Sequence, residues 1–151
     1  MILISICVLF LDQLTKYLAL AKLSPGNSFS VIKNVFHLTL VYNSGSAFGL
    51  FKNGRIIFIF LAFFAVIFIA RYLISKKDSL SISLKLPLVL IMAGAAGNLI
   101  DRIRFGYVID FLDFRIWPVF NIADSAITIG VVLFAWYTIK TPSEKEIAKE
   151  H

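Results

Sequence analysis

FNIADSAITIGVVLFAWYTIK, residues 120–140, is long and apolar enough to cross a bilayer, yet Asp124 stands in its first turn. Just upstream, FGYVIDFLDF at 105–114 sets Asp110 among aromatic and aliphatic residues. A hydrocarbon span takes ~20 mostly apolar residues, so 120–139 reads as a transmembrane helix. Carboxylates in or beside lipid are costly and usually face a bundle interior with a partner. Asp124 could cap its helix or favour the dipole there, but Asn121, three residues earlier, is the better cap candidate and leaves Asp124 free to face inward.

The rest of the chain fits that reading. Of its 151 residues, 59% are hydrophobic and 16% charged, and the mean hydropathy is +0.86. This is too apolar for an ordinary soluble domain. Spans are expected at about 1–20, 56–74, 86–103 and 120–139, the third with Pro87 near its first turn, where a missing N–H is tolerated. The fold expected is an all-α membrane protein of four transmembrane helices. Residues 1–140 form its single domain, and 141–151 a polar cytoplasmic tail. Between the first two spans, VIKNVFHLTLVYN (31–43) is β-prone and is expected to form a small extracytoplasmic sheet lying on the membrane. The first span could instead be a cleaved signal peptide, with ALA at 19–21 as the cleavage site. No basic region precedes it, however, and Asp12 and Lys16 interrupt its apolar run.

Counting Lys and Arg on the two sides gives a tie. Density favours cytoplasmic termini, because the short 75–85 loop and the tail are rich in lysine while the outer loops are longer. The net charge of +6 suits anionic head groups better than nucleic acid, since no basic face is interleaved with aromatics. Cys7, the single cysteine, cannot form an intramolecular disulfide and is expected to be buried and inert.

With that topology Asp12, Lys16, Asn43, Asn98, Asp101, Arg102, Asp110 and Asp124 gather on one side, as one site built from all four helices. Asp12 and Lys16, at i and i+4, suit a structural ion pair along one helix face. Asp101 and Arg102 are expected to join a buried network bracing the site. Gly94 to Gly97 are expected to let a neighbouring helix approach, and Asp113 is expected to be a solvated loop acid. Asp110 and Asp124 have no basic residue at helical spacing. Zinc, serine and cysteine hydrolase motifs are not present, and no metal or cofactor is expected. Two nearby carboxyls in a low dielectric cannot both ionise cheaply, so one keeps a proton while the other acts as base. Such a pair can activate water for peptide hydrolysis. The alternative is a small proton-relay or transport protein, which a chain without inverted repeats fits less well.

DQLTK (12–16), NSGSAFG (43–49), GNLIDR (97–102), GYVIDF (106–111) and FNIADSAI (120–127) together resemble, in order and spacing, the bacterial lipoprotein signal peptidases. Ser46 departs mildly from the small apolar residue expected there. The resemblance implies a monomeric aspartic endopeptidase of the bacterial cytoplasmic membrane, working near the outer leaflet without a metal. It would cut prolipoproteins just before a diacylglyceryl-modified cysteine and be inhibited by globomycin. It implies Asp110 and Asp124 as the catalytic pair. Asn43, Gly45, Asn98, Asp101, Arg102 and Asn121 are implied to bind substrate or shape the pocket, with Asp12 and Lys16 structural. The outer sheet would be the family's β-cradle, and the loop from Asn43 to Phe51 is expected to close over substrate.

Overall fold

The computed structural model describes residues 1–45 and 55–140. Ser46, most of the Asn43–Phe51 loop and the 141–151 tail therefore lie outside the described residues. The helices are α1 (Ile2–Lys22), α2 (Arg55–Ser75), α3 (Ile82–Arg104) and α4 (Ile122–Lys140). All four are long and apolar enough to cross a membrane. α3 is the central element: it packs most extensively against α4, then against α2 and α1. α2 has no fully buried residue: one half-buried face rests on α3, and its other apolar side chains face outward into what must be hydrocarbon.

Close packing depends on small residues. A methyl group at Gly94 would collide with the Ala123 backbone carbonyl, and one at Gly130 would lie 2.8 Å from the Pro87 carbonyl oxygen. These glycines let α3 and α4 approach backbone to backbone. The third helix begins a turn earlier than the sequence suggests, so Pro87 lies inside it rather than in its first turn. Pro87 is fully buried. Cys7 also departs from expectation, lying exposed on the outward face of α1.

The sheet has three antiparallel strands in the order β1 (Ser28–Ile32), β2 (Phe36–Asn43), β3 (Val108–Asp113). The first two come from the β-prone stretch between α1 and α2. A turn with Pro25 and Gly26 (φ +83°) leads into them, closed by a bond from Asn27 N–H to the Ser24 carbonyl at 3.1 Å. β3 was not expected: it lies between α3 and α4, where the sequence reading placed a loop. Its strand character is hidden because Val108, Ile109, Asp110 and Phe111 are all buried, so no alternation of polar and apolar residues marks it. Ala19, Leu40, Ile109 and Phe111 form the core that seats the sheet on the end of α1.

Two junctions fix β3 between helices. α3 is closed just past its end by Gly106, a left-handed residue with a φ of +88° whose N–H bonds the Arg102 carbonyl at 3.1 Å. After the strand, Phe120 exchanges backbone hydrogen bonds with Leu112 at 2.8 and 3.0 Å. α4 starts two residues later. Asp110 on the strand and Asp124 on the helix are therefore tied by one short backbone path.

Candidate active site

Register places Asp110. Between the pairs Leu38–Leu112 and Val41–Asp110, β2 spends one residue more than β3. This bulge re-aims the strand and brings the end of β2, with Asn43, to Asp110. Asp110 is 1% exposed. Its Oδ2 accepts from Asn43 Nδ2 at 2.9 Å and its Oδ1 from Asn121 Nδ2 at 2.7 Å. Asp124 Oδ1 accepts from Asn98 Nδ2 at 2.7 Å. Its Oδ2 has no hydrogen-bond partner among the described residues.

The amides donate because each is oriented from its other end. Asn98 Oδ1 accepts from the Lys16 ammonium at 3.0 Å, which leaves its NH2 facing Asp124. Asn121 Oδ1 accepts from Asp124 N–H at 2.8 Å, the N-cap bond of α4, which turns its NH2 to Asp110, with Asn98 Oδ1 (3.2 Å) and the Ile109 carbonyl (3.3 Å) also in reach. Asn43 Oδ1 accepts from Gly45 N–H at 3.1 Å. The cap expected at Asn121 is thus present, and it also presents a donor to the carboxylate.

Beneath the pair lies a buried ion cluster. Lys16, 2% exposed, holds Asp12 at 2.9 Å and Asp101 at 2.8 Å. Asp12 Oδ1 accepts from Ala123 N–H of α4 (2.9 Å), and Asp101 Oδ2 from Ile109 N–H of β3 (3.1 Å). Every partner of Lys16 therefore touches an element bearing one of the two aspartates. Gln13, which the sequence groups with Asp12 and Lys16 in the polar outer half of the first span, donates to Asp12 and Asp101 at 3.1 Å each. Arg102 does not pair with Asp101; it reaches the Asn98 carbonyl at 3.4 Å and lies over the Phe58 ring at 5.3 Å. Phe58 is thus α2's contact with this cluster. The site is assembled from α1, α3, α4 and the sheet rather than equally from four helices.

Asp113 is a correction: it is buried, not solvated. Its carboxylate accepts from Thr39 Oγ1 (2.7 Å) and from Arg115 N–H (2.8 Å), while Arg115 also reaches Ser28 Oγ (2.7 Å). Burial pushes its carboxyl up, but these donors and the guanidinium outweigh it and hold the group below its ordinary range. Asp113 clasps the three strands together.

Burial, and next the Asp124 carboxylate, push the Asp110 carboxyl up to about 7 against the pull of the Asn43 and Asn121 amides. Beside the pair, a groove of about 480 Å³ is bounded by Phe114, Trp117, Phe120, Asp124 and Ile129. Among the described residues, no group of three or more His, Cys, Asp or Glu could hold a metal ion. Among the described residues the buried polar groups cluster at the sheet end of the bundle and do not continue toward the α2–α3 loop.

The family model described as signal peptidase (SPase) II matches residues 4–140. The chain belongs to the signal peptidase II family. A lipoprotein signal peptidase of Moorella thermoacetica is 46% identical over 145 residues, 95% of each chain. One of Halothermothrix orenii is 47% identical over 130 residues, 86% of this chain and 88% of its own. A solved bacterial membrane enzyme superimposes with a TM-score of 0.85 at 34% identity, covering 95% of this chain and 92% of that one. Signal peptidase II membership and the four apolar helices make this a multi-pass membrane hydrolase.

Proposed function

We propose that the chain removes signal peptides from diacylglyceryl-modified prolipoproteins, with Asp110 and Asp124 as an aspartic dyad. The observation that carries this reading is the pair itself: two carboxylates held by oriented amides, with Asp124 Oδ2 left over for a water or a substrate carbonyl. At neutral pH the dyad holds one proton, consistent with Asp110 titrating near 7. The ionised carboxylate takes a proton from water as it attacks the scissile carbonyl, and the protonated partner donates to the carbonyl oxygen. The amine then leaves with a proton from the pair. The apolar groove at Asp124 suits the lipid-bearing residue beside the cut.

In this reading Asn43, Asn98 and Asn121 orient the dyad, Gly45 orients Asn43, and Asp101 and Arg102 set the field around it. Asp12 and Lys16 hold the elements together. Residues 1–140 act as one domain and the enzyme works as a monomer in the cytoplasmic membrane. Its termini are cytoplasmic and its dyad lies at the outer leaflet, where the acyl chains of the modified cysteine lie. A globomycin-type cyclic peptide would inhibit it by occupying the same groove.

The test is cleavage of a diacylglyceryl-modified prolipoprotein by the wild type, Asp110→Asn and Asp124→Asn, with the exposed loop acid Asp78→Asn as control. Each dyad change should lower kcat by roughly a thousandfold or more, while the control stays active. Substantial cleavage by either folded dyad variant rules out the mechanism.

A further inference from the structure

The end of the bundle opposite the carboxylates holds a second cavity, of about 450 Å³, between the first turns of α1, the last turns of α2 and the start of α3. That volume lies within the ~300–1,000 Å³ range of small-ligand pockets. Its wall is mostly apolar, with Ala70, Leu73, Val89 and Met92, and Ser5 and two lysines, Lys77 and Lys85, are the polar residues in the lining. Lys85 Nζ donates to the Lys77 carbonyl at 2.5 Å, which holds its ammonium across the α2–α3 loop. Among the described residues neither lysine has a carboxylate within ion-pairing distance. The first turn of α3 carries no acidic residue, and Ser81 makes no side-chain capping bond, so the positive end of that helix adds to the lysines.

The cavity also explains a gap in the packing. α2 rests on α3, with no comparable packing against α1 or α4, and none of its side chains is buried within the protein. Something apolar must fill the space between α1 and α2. In a membrane that filler is an acyl chain, and the two lysines select its head group. A zwitterionic lipid would set its own ammonium against them, and a second copy of this chain would bring the same lysines face to face.

We infer that this cavity binds an anionic phospholipid, with its phosphate against Lys77 and Lys85 and one acyl chain between α1, α2 and α3. The site is separate from the dyad and does not depend on what the enzyme cuts. The test is native mass spectrometry of the full chain in detergent, titrated with phosphatidylglycerol and with phosphatidylcholine of the same acyl chains. Phosphatidylglycerol should bind the wild type at least about fivefold more tightly. Each lysine is worth about fivefold, so Lys77→Gln/Lys85→Gln should weaken it by roughly twenty-five-fold, and Lys140→Gln should leave it unchanged. Ala70→Phe, which fills the cavity without touching charge, should weaken both lipids. Equal binding of the two lipids by the wild type overturns the inference, as does full phosphatidylglycerol affinity in the double variant. If the double variant does not fold, undiminished affinity in Ala70→Phe overturns it equally.

Discussion

Replacing Lys16 with methionine tests how the site is held together. The ammonium has three partners, at 2.9 Å (Asp12), 2.8 Å (Asp101) and 3.0 Å (Asn98), and is almost wholly sealed from solvent. Methionine keeps the volume but leaves two buried carboxylates without their cation. Breaking a buried ion cluster by removing one partner costs ~3–5 kcal/mol. At ~2–4 °C per kcal/mol for a chain of this size, Lys16→Met should lower the apparent Tm in detergent by roughly 6–20 °C. The triple variant Asp12→Asn/Lys16→Met/Asp101→Asn leaves no uncompensated charge there, so it should recover most of that loss. Its activity should stay low, because without the ammonium only the longer bond from Asn121 Nδ2 (3.2 Å) is left to turn the Asn98 amide toward Asp124. The assays are thermal unfolding and prolipoprotein cleavage on the same preparations. A Lys16→Met protein as stable as wild type, or a triple variant no more stable than the single, refutes the reasoning.

Other outcomes follow from single contacts. Asp110 titrates near 7 in the folded chain against an ordinary 3.8, so the folded state binds this proton more tightly and stability falls as pH rises between about 4 and 7. Asp110→Asn should flatten that slope in unfolding measured across the range, and wild-type kcat/KM should fall as pH rises above about 7. Gly94→Ala drives a methyl into the Ala123 carbonyl, and the α3–α4 separation it forces should cost ~1–3 kcal/mol, read as a lower Tm. Asp113→Asn weakens the clasp on β3. The Asp113 carboxyl sits below its ordinary range, so it contributes stability above pH 3.8 that is lost on acidification. The variant should flatten that acid limb and lower cleavage without abolishing it.

The spans and the two aspartates were legible because each needs only local information: runs of apolar residues, and acids where lipid makes acids costly. The Asn121 cap was legible for the same reason, its spacing to the fourth helix being fixed. β3 was not, since a strand buried on both faces leaves no alternation, and its pairing with β2 spans a separation no local pattern records. Asp113 was misread with it, because Thr39 reaches it only once the sheet has formed, although the bond from Arg115 N–H, two residues on, is local. Lys16 was matched to Asp12, its neighbour one helical turn away. Its bond to Asp101 is a tertiary fact, as is the freeing of Arg102 from Asp101 to lie over Phe58. Asn98 and Asn121 stood out as polar residues in apolar surroundings, but which way each amide points depends on groups from other elements.

The bond from Asp12 to the Ala123 N–H has a consequence for biogenesis. α1, which leaves the ribosome before α4, carries the acceptor that completes the start of α4. Until α4 enters the bilayer, Asp12 lacks that donor, Asn98 lacks Asp124, and β3 lacks its bridge to Phe120. A nascent chain with α1 to α3 inserted can shelter Lys16 between Asp12 and Asp101, already neutralised within lipid, yet it has Asp110 without Asp124. In the proposed mechanism, competence for cleavage therefore arrives in one step, with α4.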